Sequence, residues 1–150
     1  MPEDQAQIPP PITPPPSATP PAGAPTPPPN PESQARTWNM LCHLSALAAC
    51  IGVPFGNILG PLLIWQIKKN EFPAVEIHGK AALNFQITVT IAVLGGAIVA
   101  FALSFVCVGF LLFPVVMLIG LAGMIFAIIA GLKANNGEDY KYPYSFEFVK

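Results

Sequence analysis

Residues 81–132 read AALNFQITVTIAVLGGAIVAFALSFVCVGFLLFPVVMLIGLAGMIFAIIAGL, 52 consecutive positions without a charged side chain. A membrane-crossing helix needs about 20 apolar residues to span a hydrocarbon core about 30 Å thick. The stretch is therefore long enough for two crossings and a tight turn. A soluble core helix would be shorter and would show a polar face. Cys107-Val108-Gly109-Phe110 is the best place for the turn. Pro114 then suits the first turn of the second helix, where a missing N–H costs nothing. The spacing predicts helices over about 76–106 and about 114–133. Asn135-Asn136-Gly137 supplies a left-handed stop. Lys133, in the last turn, meets the negative end of the helix dipole.

Upstream lies a second uncharged block, residues 37–67. It is interrupted at Pro54-Phe55-Gly56-Asn57 and again at Gly60-Pro61. The pieces, about 38–53 and about 57–69, would be only about 24 Å and about 20 Å long as helices. Two short tilted spans, a re-entrant hairpin shielded by the other helices, or one bent span would all accommodate them. Charge chooses among these. A hairpin puts Arg36, Lys68, Lys69, Lys80, Lys133, Lys141 and Lys150, all seven basic residues, on one face. A single pass would strand Arg36 on the other. The positive-inside rule selects the hairpin, with both termini cytoplasmic. Trp38, Trp65, Tyr140, Tyr142 and Tyr144 fall on that same face, and such side chains favour the headgroup layer.

The remaining segment is different in kind. Fourteen of the 19 prolines lie in residues 1–31. Proline lacks the N–H and fixes φ, so no helix or sheet ladder forms there. Residues 1–34 are expected to be a disordered, polyproline-like spacer. Residues 1–35 hold neither Lys nor Arg, which argues against a ligand for aromatic-lined grooves. The acidic start Met1-Pro2-Glu3-Asp4 does not read as a signal peptide. The expected fold is thus an all-α integral membrane protein. Four helical segments, a short broken first hairpin plus a long transmembrane hairpin, form a bundle over residues 35–150. A chain 10% charged with net charge −1 excludes an ordinary soluble enzyme surface and offers no basic footprint for nucleic acid.

Several features are candidates for function. Ala92, Gly96, Ala100 and Ser104, and likewise Gly123, Ala127 and Gly131, form small-residue ladders. Such ladders serve close packing within the chain or self-association. Asn84 and Thr88 share a stripe with Lys80, and Gln86 with Thr90 forms another. These polar lines serve as interhelical glue or line a cavity. Glu76 and Lys80 have the spacing of a helical ion pair. His43 and His78 are the histidines, and Cys42, Cys50 and Cys107 the thiols. No zinc spacing or C-x-x-C pair is present, and no catalytic constellation stands out, so neither metal nor cofactor is expected. Tyr140, Tyr142, Tyr144, Phe146 and Phe148 alternate with other residues, which predicts an extended segment lying along the interface.

Four ordered stretches carry a family resemblance. They are His43-Leu44-Ser45-Ala46-Leu47, Gly56 to Lys69, His78 to Gln86, and Lys133 to Glu138 with Tyr142-Pro143. In this order they resemble the Tic-twenty-like family of small bacterial membrane proteins, over about residues 35–150. The resemblance implies a compact four-segment bundle in the cytoplasmic membrane, similar to a component of chloroplast protein import. It marks Asn57, Gly60, Pro61, His78, Gly79, Lys80, Asn84, Gln86 and Asn136 as motif positions, beside His43.

The sequence therefore predicts a non-enzymatic multi-pass protein of the cell membrane. The expected role is a scaffold or component of protein translocation or envelope maintenance. Its expected partners are the bilayer and other membrane proteins or further copies of itself. The alternative is a small oligomeric channel or transporter, built on the broken Gly56–Pro61 hairpin and the Asn84 and Gln86 stripes.

Overall fold

The computed structural model describes residues 30–150. The expected tail, as far as residue 29, lies outside the described residues. The rest is all-helical, with no strand among the described residues.

The first helix, α1 (Pro31–Leu44), begins at Pro31 rather than at residue 38. Its start is a strong cap that composition alone conceals. Asn30 Oδ1 accepts the Glu32 N–H at 3.1 Å, and Pro31 occupies the first helical position. Glu32 also pairs with Arg36 one turn on. Residues 31–34 thus form the exposed first turn of α1. From Ser45 to Ile51 the chain tightens into a 3-10 helix, closed by Gly52 at φ 86°.

Phe55, at φ 55°, leads into α2 (Gly56–Lys68). Gly60 explains how closely α2 returns. A Cβ there would stand 2.3 Å from the Ser45 carbonyl oxygen, and one on Gly56 would stand 2.7 Å from the Ala49 nitrogen. The two glycines, one turn apart, let α2 lie backbone to backbone on the 3-10 helix. The expected break at Gly60-Pro61 does not occur. α2 runs through Pro61, which is buried and lacks only the N–H that would reach the Asn57 carbonyl. The first block is therefore a hairpin.

The long hairpin comprises α3 (Pro73–Ser104) and α4 (Gly109–Asn135). At 1.5 Å per residue they measure about 48 Å and about 40 Å. The turn falls at residues 105–108, two positions before the expected one. Cys107 provides its left-handed residue at φ 62°. Gly109 fits because its α-carbon faces the α3 backbone, where a Cβ would stand 2.0 Å from the Ala100 carbonyl oxygen. α4 therefore starts ahead of Pro114, and that proline sits inside the helix. At the other end, Asn136 caps α4 and Gly137 turns the chain at φ 81°.

Both helices present their apolar side chains outward. In the most apolar 18-residue window, 6% of α3 and 22% of α4 is buried, whereas the core helix of a soluble protein would be mostly covered. Lipid satisfies such a surface. Ala92 is exposed, but Gly96, Ala100, Gly123, Ala127 and Gly131 turn inward. A Cβ on Gly96 would meet Val116, and one on Gly123 would meet Val89, both at 2.9 Å across the hairpin. Gly131 instead lies against Leu44 of α1. These three glycines are used for packing within the chain.

The buried core gathers toward the end that carries the helix termini. It includes Cys42, Val75, Leu83, Phe85, Ala130 and Tyr142. The basic residues meet there too. Lys68 Nζ stands 4.6 Å from the Trp38 ring centroid, Lys69 Nζ stands 5.1 Å from that of Trp65, and Arg36 approaches Gly137.

Candidate functional site

His43 ends the last turn of α1, and His78 sits in the second turn of α3. The α1–α3 packing sets them edge to face, with ring centroids 5.3 Å apart. His43 Nε2 lies 3.1 Å from His78 Nδ1. On its other side His43 Nδ1 lies 2.8 Å from the Tyr142 hydroxyl. His78 Nε2 faces Asp139 Oδ1 at 3.5 Å. Every ring nitrogen is thereby used. One assignment of neutral tautomers satisfies the whole series. In it, the Tyr142 hydroxyl donates to His43 Nδ1, His43 Nε2–H donates to His78 Nδ1, and His78 Nε2–H is turned toward the Asp139 carboxylate, an electrostatic contact at 3.5 Å. Burial pushes the Tyr142 phenol well above its ordinary range, with smaller contributions from Tyr140 and Cys42. It stays protonated and remains a donor.

Tyr142 is held by packing as well. Its ring stacks on Phe85 at a centroid distance of 4.0 Å and an interplanar angle of 13°, and Phe126 closes edge-on against Phe85. The expected aromatic face along the interface is therefore broken. Tyr142 turns inward, Tyr144 is 92% exposed, and a left-handed backbone at Tyr144, φ 56°, ends the two-residue period.

The two polar stripes of α3 find separate partners. Asn84 Oδ1 accepts the N–H groups of Phe148 and Val149 at 2.9 Å and 2.7 Å, and its Nδ2 donates to the Val149 carbonyl at 3.0 Å. Thr88 Oγ1 accepts the Phe146 N–H at 3.1 Å. The stripe thus binds the C-terminal segment. Lipid provides no partners for irregular backbone, and these two side chains provide them. On the second stripe, Asn57 Nδ2 donates to Thr90 Oγ1 at 2.8 Å and reaches Gln86 Oε1 at 3.4 Å. That contact ties the tip of α2 to α3. Beside it opens an apolar groove of about 840 Å³, walled by residues such as Leu47, Phe55, Leu94 and Leu121.

The motif positions thus fall into groups. His43 and His78 meet at the buried pair. Asn57 meets Gln86, and Asn84 takes the C-terminal segment. Gly60 and Pro61 serve the α2 return. Gly79 admits Trp65, whose Cβ would lie 2.6 Å from a Cβ at that position. Lys80 pairs with Glu76 one turn back. Asn136 is an exposed helix cap and joins none of these groups. Among the described residues no three His, Cys, Asp or Glu side chains gather around a point where a metal would sit. Sequence reasoning missed Asp139 and the inward role of Tyr142. Tyr142 lies 99 positions from His43, and no local pattern joins them.

This architecture defines a class: a polytopic helical membrane protein whose interior polar groups bond chiefly to one another. The chain belongs to the MamF/MmsF family, described as the magnetosome magnetite crystal formation protein family, whose model matches residues 34–149. That match overturns the resemblance to the Tic-twenty-like family. The shared helix ends and glycine positions follow from packing short hairpins in a membrane and do not distinguish one such family from another. Comparison with curated proteins and with solved structures gave no match.

Proposed function

We propose that the chain is a non-enzymatic, multi-pass membrane component of magnetite crystal formation that acts as a scaffold for other membrane proteins. Family membership supports the process and replaces translocation as the setting. One observation carries the structural role. The strongest chemical groups in the interior, two imidazoles and a phenol, are spent on each other and on Asp139, and catalysis needs a side chain free to meet a substrate. Gathering of the basic side chains at one end of the bundle supports an orientation with both termini cytoplasmic.

Removing the gene from a magnetite-forming cell, followed by electron microscopy, tests this reading. Crystals altered in size, number or order, and restored by the full chain, are the expected result. Unaltered crystals would overturn it. Crosslinking in the same membranes should capture neighbouring membrane proteins. Solute flux through liposomes carrying the chain alone would replace the scaffold with a channel.

A further inference from the structure

We propose that the series Tyr142–His43–His78–Asp139 is a proton-operated latch that holds the C-terminal segment on α3 while both imidazoles are neutral, and releases it in mild acid.

The series joins three parts of the fold. His43 belongs to α1 and His78 to α3, whereas Tyr142 and Asp139 belong to the segment after α4. Beyond Tyr142 that segment docks on Asn84 and Thr88. Undoing the series therefore removes one of the two ties at the inner end of that segment, the stack of Tyr142 on Phe85 being the other.

Proton counting shows why it undoes. Four groups enclose three gaps, Tyr142–His43, His43–His78 and His78–Asp139. A neutral series carries three protons, one from the phenol and one from each ring, and each gap takes one. A fourth proton has no gap. Two protons between rings 3.1 Å apart repel. The remaining solution reverses the first two bonds, so that His78 donates to His43 and His43 donates to Tyr142. The hydroxyl hydrogen must then point away from His43. Among the described residues the Tyr142 hydroxyl has no second hydrogen-bond partner, and Tyr142 is 6% exposed. A buried donor left unpaired is costly. Imidazole is the side chain that takes up a proton in this range.

The surroundings bear on this proton. From α1, His43 faces His78, and Cys42 neighbours Tyr142. From the C-terminal segment, Asp139 faces His78 and Tyr140 faces the Tyr142 ring. The carboxylate of Asp139 favours the charged ring, so it sets where the latch opens, and being 81% exposed it is screened. Most of the other cations at this end are engaged elsewhere, and Lys141, beside Tyr142, is exposed to solvent. Lys68 pairs with Glu71, Lys80 with Glu76 and Lys133 with Glu138, while Lys69 lies over Trp65.

The test is amide hydrogen exchange of the full chain in lipid nanodiscs at pH 7.5 and 5.0, each rate corrected for intrinsic exchange. Protection at Phe146, Phe148 and Val149 is expected to fall at least about tenfold between the two, the factor that an imidazole uptake of one unit of linkage gives. His43→Gln combined with His78→Gln keeps acceptors and donors but removes both titrating rings, and should remove the pH dependence. Asp139→Asn leaves the fold intact and should move the midpoint to lower pH. Protection independent of pH in the native chain would overturn the proposal. So would an unshifted midpoint in Asp139→Asn, or a pH response that survives the joint replacement of His43 and His78 by Gln.

Discussion

The Asn84 side chain and the backbone of Val149 exchange two hydrogen bonds, as paired residues do in a sheet, across 65 positions of chain. The carboxamide has the dimensions of a peptide group, and its Oδ1 also takes the Phe148 N–H. Replacing Asn84 by Leu removes all three bonds and leaves two N–H groups and one carbonyl facing lipid. Each unpaired buried group costs about 1–3 kcal/mol. The C-terminal segment of Asn84→Leu should therefore detach, with complete loss of exchange protection at Phe148 and Val149. α3 and α4, packed through Gly96 and Gly123, should stay folded by circular dichroism.

Tyr142 separates packing from hydrogen bonding. Tyr142→Phe keeps the stack on Phe85 and removes the donor to His43 Nδ1. That leaves a buried imidazole nitrogen unpaired, which costs about 1–3 kcal/mol. Tyr142→Ala removes the ring as well, and large aromatic truncations cost about 3–5 kcal/mol. Chemical denaturation in mild detergent should rank the two variants in that order. Equal losses would show that the ring contributes nothing.

The legible and illegible parts of this chain divide by range. Charge placement along residues 37–67 and 81–132 defines the hairpins, because exclusion of charge from hydrocarbon acts on each residue separately. Glu76 with Lys80 was legible for the same reason, being one helical turn apart. The helix starts at Pro31 and Gly109 were not. The first depends on a side-chain cap at Asn30, and the second on how closely α4 approaches Ala100. Nor was the union of Asp139 and Tyr142 with the histidines legible. It depends on a chain reversal at Gly137 and on the fit of Tyr142 against Phe85. The Asn84 and Gln86 stripes were visible as polar lines, but their partners lie on elements that only the fold brings alongside.

Gly60 offers a steric test of the first hairpin. A Cβ there would stand 2.3 Å from the Ser45 carbonyl oxygen. That neighbour is backbone and has no rotamer with which to retreat. Gly60→Ala should therefore push α2 off the 3-10 helix and destabilise the chain by several kcal/mol, beyond the cost of about 1–3 kcal/mol usual for overpacking. Gly95 is the control, since nothing lies within 4 Å of a Cβ at that site. Alanine there should be neutral or slightly stabilising, because it favours helix over glycine. The two melting temperatures, measured side by side, should shift in opposite directions or by very different amounts.

Cys107 and Lys141 lie at opposite ends of the long hairpin, one in its turn and the other beyond α4. If the basic end faces the cytoplasm, as the positive-inside rule requires, the two positions differ in access. One variant keeps Cys107 alone, with Cys42 and Cys50 replaced by Ala. The other replaces all three native cysteines and adds Lys141→Cys. Both are expressed in the inner membrane of a bacterial host and treated with a thiol reagent that does not cross membranes. Cys107 should react in right-side-out vesicles. The position 141 thiol should react only after the membrane is opened. Labelling at position 141 in sealed right-side-out vesicles would invert the orientation and place the histidine pair, with its Asp139 exit, on the opposite side of the membrane.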